Sequence, residues 1–463
     1  MAESQLNQLI VASNRGPLAF ERGPSGTLVP GRGGGGLVAS LGPALAGTGA
    51  TWAAGAISRG DRQAAGGGPI EAEGFRVQLL DLPAPQYRQF YNVVSNATLW
   101  FLYHGLFDHA RRPRFDKHWR GAWEGYRAIN SRFAEAVATL AAPGATVLIH
   151  DFHLSLVPGE LASRRPDLRT VHFHHTPFPA LDGLRVLPDA VRSELMSSLA
   201  AASACGFHAR RWAAAFEACC DDVLGVVPPV FVSPAAVGAT ELEKTAASER
   251  CETELAGLEE QLAGRQVIVR VDRIELSKNL LRGFLAYDEL LEARPDLRGR
   301  VVFAALVYPT RQGLPEYQAY RQEVEGLARR LNQRWGGSDW TPVLLDLEDN
   351  YPRSVAALRR ADVLLVNPVR DGLNLVAKEG PLVNERHGVL VLSREAGVWD
   401  ELSQWAIGVN PFDVTGTAEA MGAALDMAPG ERAERAEALR RAAARRSPED
   451  WLADQLAAAR PRP

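Results

Sequence analysis

The stretch that decides the fold reads Val363-Leu-Leu-Val-Asn-Pro-Val-Arg370-Asp-Gly-Leu-Asn-Leu-Val-Ala-Lys-Glu379. Its first four residues form a short, wholly apolar run, the pattern of a strand buried on both faces of a parallel sheet. Asn367-Pro368 stops the strand, and a helix-compatible segment begins near Leu373. A strand, a glycine-containing turn and a helix start make an anion site, because unpaired N–H groups and the helix dipole point at the ligand. Asp371 can accept hydrogen bonds from sugar hydroxyls. Glu379, two turns into the helix, suits a ribose diol. The stretch reads as a sugar-nucleotide site.

Similar apolar runs flank it. Val267-Ile-Val269, Val301-Val-Phe303, Val343-Leu-Leu345 and Val389-Leu-Val-Leu392 complete one series. Leu9-Ile-Val-Ala12, Thr146-Val-Leu-Ile149 and Thr170-Val-His-Phe173 belong to an earlier one. Such runs alternating with helical patterns are the α/β signature. Trp123, Tyr126, Ile129, Phe133, Val137 and Leu140 recur at helical spacing and read as core packing. A polar, Ala/Glu-rich stretch from about Ser233 to Arg265 separates the two series, with Pro234 and Gly238 near the expected hinge.

At 463 residues the chain exceeds one ordinary core. The expectation is two Rossmann-like domains facing across a central cleft, with ligands outside the carboxyl ends of the strands. The expected boundaries are 1–240, 241–445, and a C-terminal helix or tail, 446–463, that packs back on the N-terminal domain through Trp451.

A net charge of -4 argues against a nucleic-acid binder that relies on bulk electrostatics. The only lysines are Lys117, Lys244, Lys278 and Lys378, so a lysine kept inside a motif stands out from a generic surface charge. Cys205, Cys219, Cys220 and Cys251 show no metal-ligand spacing and read as reduced and structural. The N-terminal residues show no basic segment leading into an apolar one, and no apolar stretch is long enough to span a bilayer. A cytoplasmic protein without membrane or nucleic-acid partners is expected. Oligomeric state is left open, a homo-oligomer included.

Five further constellations carry chemical meaning. Ser13-Asn-Arg15 follows the first strand, and Gly31-Arg-Gly-Gly-Gly-Gly-Leu37 leads into an apolar helix-like segment, where glycine backbone can approach a phosphate. That run is not GxGxxG, so the dinucleotide fingerprint is absent, and a plain flexible loop is an equal reading. Arg273-Ile-Glu-Leu-Ser-Lys278 leaves a strand end and can clamp a diphosphate, stabilising the charge on a departing nucleotide; an exposed basic loop is the bland alternative. Tyr91-Asn92, Ser95-Asn96 and Leu99-Trp100 offer flat faces with polar handles, or half-buried core aromatics. His150-Asp-Phe-His153 and His172-Phe-His-His175 invite a metal reading. Strand alternation splits His175 from His172 and His174, and no HExxH is completed, so no metal is assigned. Asp151 is the better candidate there, for sugar hydroxyls or a proton. Pro309-Thr-Arg311 places an arginine at another strand end.

Together these stretches resemble glycosyltransferase family 20, the trehalose-6-phosphate synthases, nearly end to end. The resemblance includes Gly35-Gly-Leu37, Tyr91 to Trp100, His150 to Leu154, His175-Thr-Pro-Phe-Pro179, Arg185-Val-Leu-Pro188, Gly206-Phe-His208, Arg273 to Lys278, Asp339-Trp-Thr-Pro342, Arg370 to Glu379 and Val409-Asn-Pro-Phe-Asp413. It implies a GT-B fold and retaining transfer of glucose from a nucleoside-diphosphate glucose to glucose 6-phosphate, with no metal or other cofactor. It implies that Arg273 and Lys278 hold the donor diphosphate and that Asp371 binds the donor glucose. Gly372, Leu373 and Asn374 would support the phosphate or sugar through their backbone, and Glu379 would hold the ribose. Gly35 and Gly36 would approach the donor phosphates. Arg15, Tyr91, Trp100 and Arg311 would grip the acceptor phosphate. Asp151 and His175 would line the reacting centre, with Asp151 also on the acceptor side.

Several positions depart from the family's commonest pattern. Asn279 stands where Gly usually follows the lysine, Phe152 replaces Tyr, Gly380 replaces an aromatic, and Val230-Phe-Val-Ser-Pro234 lacks the usual hinge sequence. Arg273 to Asn279 and Pro381-Leu-Val-Asn-Glu-Arg386 resemble an actinobacterial branch whose members can use GDP-glucose. GDP-glucose is therefore the expected donor and UDP-glucose the alternative. Rival readings are a related transferase with another acceptor (a glucosylglycerol-phosphate synthase or a pseudo-glycosyltransferase) and a non-catalytic sugar-phosphate sensor. The sensor would predict loss of Arg273, Lys278 or Asp371, all of which are present. A two-Rossmann oxidoreductase is disfavoured by the missing fingerprint.

Overall fold

A computed structural model describes residues 7–22, 27–33 and 35–460. Two compact units emerge. The first comprises residues 1–235 together with 448–463, and the second residues 236–447.

In the first unit, eight strands form one sheet in the spatial order Val230–Val232, Ala204–Phe207, Arg169–His174, Ala141–His150, Asn7–Ser13, Thr51–Gly55, Phe75–Leu80, Ile70–Ala72. All neighbours are parallel except the last pair. The strand order reverses between Asn7–Ser13 and Ala141–His150, the first strand and the first one added on its other side. Ligands in doubly wound sheets bind beyond the carboxyl ends at such a switch point. Ser13-Asn14-Arg15 and His150-Asp151 leave the sheet there. The aromatic stripe lies on helix Lys117–Leu140, which buries Trp123, Tyr126, Ile129, Phe133 and Val137. Asp116 caps that helix by accepting from the His118 and Trp119 amides, satisfying two otherwise orphaned donors.

The second unit has six parallel strands in the order Val343–Asp346, Val301–Pro309, Gln266–Ile274, Val363–Val366, Val389–Ser393, Ile407–Val409. Counted along the chain this is 3-2-1-4-5-6, the doubly wound order. Val363–Val366 is buried throughout, as a strand covered on both faces must be. Its switch point falls between Gln266–Ile274 and Val363–Val366, the two strands that precede Lys278 and Asp371. The Ala/Glu-rich stretch folds as helices Ala239–Ala246 and Glu249–Leu262 of this unit.

All four cysteines are buried and free. Among the described residues no helix is long and apolar enough to cross a membrane.

Candidate active-site residues

The second unit builds its set around Lys278. Strand Gln266–Ile274 runs into a one-turn 3-10 helix, Leu276–Lys278, and Asn279 turns the chain with φ +64° into helix Leu280–Ala293. Asparagine tolerates this left-handed geometry because its short amide can bond locally. Here it donates to the carbonyls of Asn367 (3.0 Å) and Pro411 (2.7 Å), and accepts from Arg282 (2.9 Å). The departure from glycine thus keeps the turn and adds three ties.

The Lys278 Nζ lies 2.6 Å from Asp371 Oδ2 and 3.4 Å from Asp272 Oδ1. Burial works against its charge, but the Asp371 and Asp272 carboxylates outweigh burial and hold its pKa above the ordinary lysine value, despite the nearby Arg273. Beneath it the fully buried Arg270 bonds Asp272 at 3.1 Å, the Asn367 side chain and the Lys278 carbonyl. A buried arginine is costly unless most of its donors are taken; here both Nη atoms are, while Nε has no partner among the described residues. Its bonds lock the Lys278 turn to the strand end.

The loop of Asp371 is tied from several sides. The Val369 amide donates to the Ser277 carbonyl (2.8 Å), joining the two strand-end loops. The Asp371 amide donates to Glu395 O (3.1 Å). Asn374, at φ +85°, donates to Asp371 Oδ2 (3.1 Å) and accepts from the Ala377 amide (3.2 Å). Helix Val376–Val383 therefore begins three residues later than expected, with Gly372, Leu373 and Asn374 in the turn. Gly397 lies flat against this loop: a Cβ there would sit 1.9 Å from the Gly372 oxygen, so only glycine fits.

Glu379 lies one turn into that helix. Burial without a countercharge pushes its carboxyl up to about 7, and its side chain has no hydrogen-bond partner among the described residues. Tyr351 is near enough to feel its charge. The neighbouring Lys378 does not join the set: it is buried and paired with Glu401 at 2.8 Å. Gly380 packs on Leu364, whose Cδ2 would be 2.4 Å from a Cβ, so this chain has no room for the aromatic found elsewhere.

Arg311 belongs to this unit as well, at φ +47°. Its guanidinium pairs with the fully buried Glu275 and donates to the Tyr317 hydroxyl at 2.9 Å, which in turn donates to the other Glu275 oxygen at 2.6 Å. Arg15, Tyr91 and Trp100 belong to the first unit.

In the first unit Arg15 is exposed at the strand end, and its Nη2 lies 3.4 Å from the Tyr91 hydroxyl. Tyr91 stacks on His153 (5.9 Å between centroids), and His153 Nδ1 lies 3.4 Å from Asp151 Oδ2. Tyr91 sits on a π-helix, Gln89–Leu99, a rare form concentrated at functional sites. Trp100, which follows it, is largely buried between His104 and Phe152. Gly35, at φ +123°, precedes helix Gly36–Leu45 with nothing within 4 Å of where a Cβ would stand. Gly34 of the same run lies outside the described residues.

Asp151 has φ +74° and ψ 165°, a region nearly reserved for glycine, at a strain of about 1–3 kcal/mol. Its amide donates to the Phe173 carbonyl (2.8 Å), which fixes this geometry. Burial raises its pKa, but the His153 hydrogen bond and the surrounding imidazoles more than offset that and hold the carboxyl below its usual range. Its Oδ1 is buried with no partner among the described residues. His175, close enough to act on that charge, contacts His150 (3.0 Å) and His208 (3.1 Å) through its two ring nitrogens.

Each unit thus gathers charged and hydrogen-bonding side chains at its switch point. The chain belongs to glycosyltransferase family 20, whose sequence profile matches residues 7–460. A trehalose-6-phosphate synthase of Mycolicibacterium smegmatis is 32% identical over 98% of this chain and 93% of the relative. A bifunctional trehalose-6-phosphate synthase/phosphatase of Thermoproteus tenax is 33% identical over 82% of this chain, but the match spans only 53% of that longer relative. Among solved structures, the E. coli protein described as bound with UDP-2-fluoro glucose superposes with TM-score 0.85 at 28% identity, covering 98% of this chain and 99% of that one. The Burkholderia xenovorans α,α-trehalose-phosphate synthase (UDP-forming), in complex with glucose-6-phosphate, gives 0.84 at 30% identity, covering 97% and 99%. The fold is that of the GT-B class.

Several participants escaped the sequence reading. Arg270 and Asp272 interrupt an apolar strand at alternate positions, a readable sign of a buried polar network. Glu275 stands inside the quoted Arg273 to Lys278 motif without having been singled out. The histidine contacts of His175 needed three dimensions.

Proposed function

We propose that the chain transfers glucose, with retention of configuration, from a nucleoside-diphosphate glucose to the anomeric hydroxyl of glucose 6-phosphate, giving α,α-trehalose 6-phosphate. GDP-glucose is the proposed donor. UDP-glucose is a second reading, favoured by the UDP analogue in the E. coli structure and the UDP-forming Burkholderia relative. The observation that carries the proposal is the Lys278–Asp371 pair at the switch point of the second unit, in a chain matched over nearly all its length by synthases.

In the reaction the bond from glucose C1 to the β-phosphate oxygen breaks, and a bond from C1 to the acceptor oxygen forms on the same face. The acceptor proton passes to the departing phosphate, so the pair of carboxylates used by glycosidases is not needed. Lys278 and Arg273 neutralise charge as the diphosphate leaves. Asp371, freed from Lys278 by that diphosphate, accepts hydrogen bonds from glucose hydroxyls, and Gly372, Leu373 and Asn374 present their backbone to the phosphate or sugar. Glu379 receives the ribose diol, and Gly35 and Gly36 approach the donor phosphates. Arg15, Tyr91 and Trp100 bind the acceptor phosphate. Arg311 is assigned to the same task, which requires its guanidinium to serve phosphate while paired with Glu275. Asp151 binds the reacting sugars, and His175 lines the same centre.

The test is nucleotide release with glucose 6-phosphate, GDP-glucose and UDP-glucose compared side by side. Trehalose 6-phosphate formed with GDP-glucose preferred supports the proposal. Preference for UDP-glucose selects the second reading. Binding of either nucleotide without turnover shifts the assignment to another acceptor.

A further inference from the structure

Three imidazoles of the first unit form one hydrogen-bonded line. The Ala235 main-chain N–H lies 3.3 Å from His208 Nδ1, His208 Nε2 lies 3.1 Å from His175 Nδ1, and His175 Nε2 lies 3.0 Å from His150 Nδ1. The amide at the start of the line can only donate, which fixes everything after it. His208 Nδ1 must accept, so a neutral His208 carries its proton on Nε2. That proton faces His175 Nδ1, which must accept in turn, so His175 carries its proton on Nε2. The same step makes His150 an Nε2–H tautomer, and its Nε2 is buried with no partner among the described residues. Tautomers are normally set this way, by the partner of the other ring nitrogen.

The rings are also held in place. His150, His175 and His208 pack around Trp451, with centroids 5.9, 5.8 and 6.1 Å away. Trp451 is fully buried, and its helix is tied to the same segment by the Ser233 hydroxyl, which donates to Asp454 at 2.7 Å. Ala235 is the last residue of the first unit before the chain passes to the second.

We propose that His208, read by the Ala235 amide, is a positioning residue that fixes His175 as a neutral imidazole protonated on Nε2. His175 then faces its substrates as a hydrogen-bond donor and not as a proton acceptor. Its Nδ1 lone pair is occupied by His208 and its Nε2 already bears the proton. On meeting a sugar hydroxyl, the Nε2–H exchanges His150 for the hydroxyl oxygen. The kinetic part of this inference rests on the proposed transfer; the tautomer does not.

The test uses the full chain labelled with 15N-histidine and no ligand, the His175 signals being those lost in His175→Gln. Nitrogen shifts are expected to show His175 protonated on Nε2 alone. In His208→Phe the ring and its packing remain but the donor is gone, so His175 becomes a mixture of tautomers and kcat falls on the order of tenfold, with KM values changing less. In His208→Gln the amide Nε2 replaces the imidazole donor, and both the tautomer and kcat return to within about threefold of the parent. A wild-type His175 protonated on Nδ1, or a His208→Phe variant with unchanged tautomer, would overturn the inference. An Nε2–H tautomer in a chain that turns over no nucleotide sugar would leave the inference standing and remove the proposed transfer instead.

Discussion

Lys278 reaches Asp371 across the switch point of the second sheet, and the two close to 2.6 Å. Each serves as a counterion to the other. Under the proposed function a diphosphate competes with Asp371 for the lysine, and in doing so leaves the carboxylate free for sugar hydroxyls. One exchange of partners therefore prepares both groups.

Lys278→Ala should lower turnover on the order of 100- to 1000-fold, the size expected for a charge that acts in the transition state. The fold should persist, since the Arg270 bonds to the turn are made to the Lys278 carbonyl and not to its side chain. Steady-state rates beside a circular dichroism melt check both halves. Near-normal turnover would sink the role.

Asp151 invites a substitution with effects of opposite sign. Asp151→Gly removes the strain at φ +74° and should stabilise the protein by about 1 kcal/mol after glycine's entropic cost. Activity should fall on the order of 100-fold with the loss of the carboxylate. A variant that melts lower than the parent and works as well would contradict both parts.

Glu379 predicts a pH-dependent penalty. Its folded pKa, about 7, lies above the ordinary 4.5, so between those values the unfolded chain ionises while the native carboxyl stays protonated. Stability contributed by this group therefore falls as pH rises from about 4.5 to 7 and stays low above that. The penalty is on the order of 2 kcal/mol, reduced from full burial because Glu379 keeps some exposed surface. Glu379→Gln should gain on the parent across that window in urea melts. A difference that does not change with pH would refute the assignment.

Arg311 carries a structural duty toward Glu275. Arg311→Ala removes the guanidinium paired with the fully buried Glu275, leaving the Tyr317 hydroxyl on that carboxylate, and should destabilise the unit by about 3 kcal/mol. Adding Glu275→Gln should restore part of that loss, which a double-mutant cycle measures. In the same variants the apparent KM for glucose 6-phosphate should rise far more than the donor KM if Arg311 serves the acceptor. Equal effects on both KM values would remove that role and leave only the structural one.

The legible parts of the fold were those dictated by local pattern. Val363–Val366 announced a doubly covered strand through its composition alone, and Asp371 and Lys278 could be placed because strand ends in such sheets carry ligands. The less legible parts depend on partners distant in sequence. The helix start at Val376 was displaced from Leu373 because Asn374 adopts a left-handed turn that Asp371 and Ala377 hold. Lys378, conspicuous in the motif, serves a buried pair with Glu401, which nothing local distinguishes from a ligand contact. The π-helix through Tyr91 leaves no mark in residue spacing. Its wide turn is confirmed by bonds five residues apart, such as Thr98 to the Val93 carbonyl, and these answer to packing and not to propensity.

Trp451 has a consequence for biogenesis. The side chain that the three histidines surround arrives from the far end of the chain, after all of residues 236–447. On the ribosome the first unit waits with that aromatic-lined recess uncovered while the second, contiguous in sequence, can already close its own sheet. The first unit to be made is then the last to be completed, and the interval before helix Pro448–Ala458 emerges leaves that recess exposed to aggregation and open to chaperones.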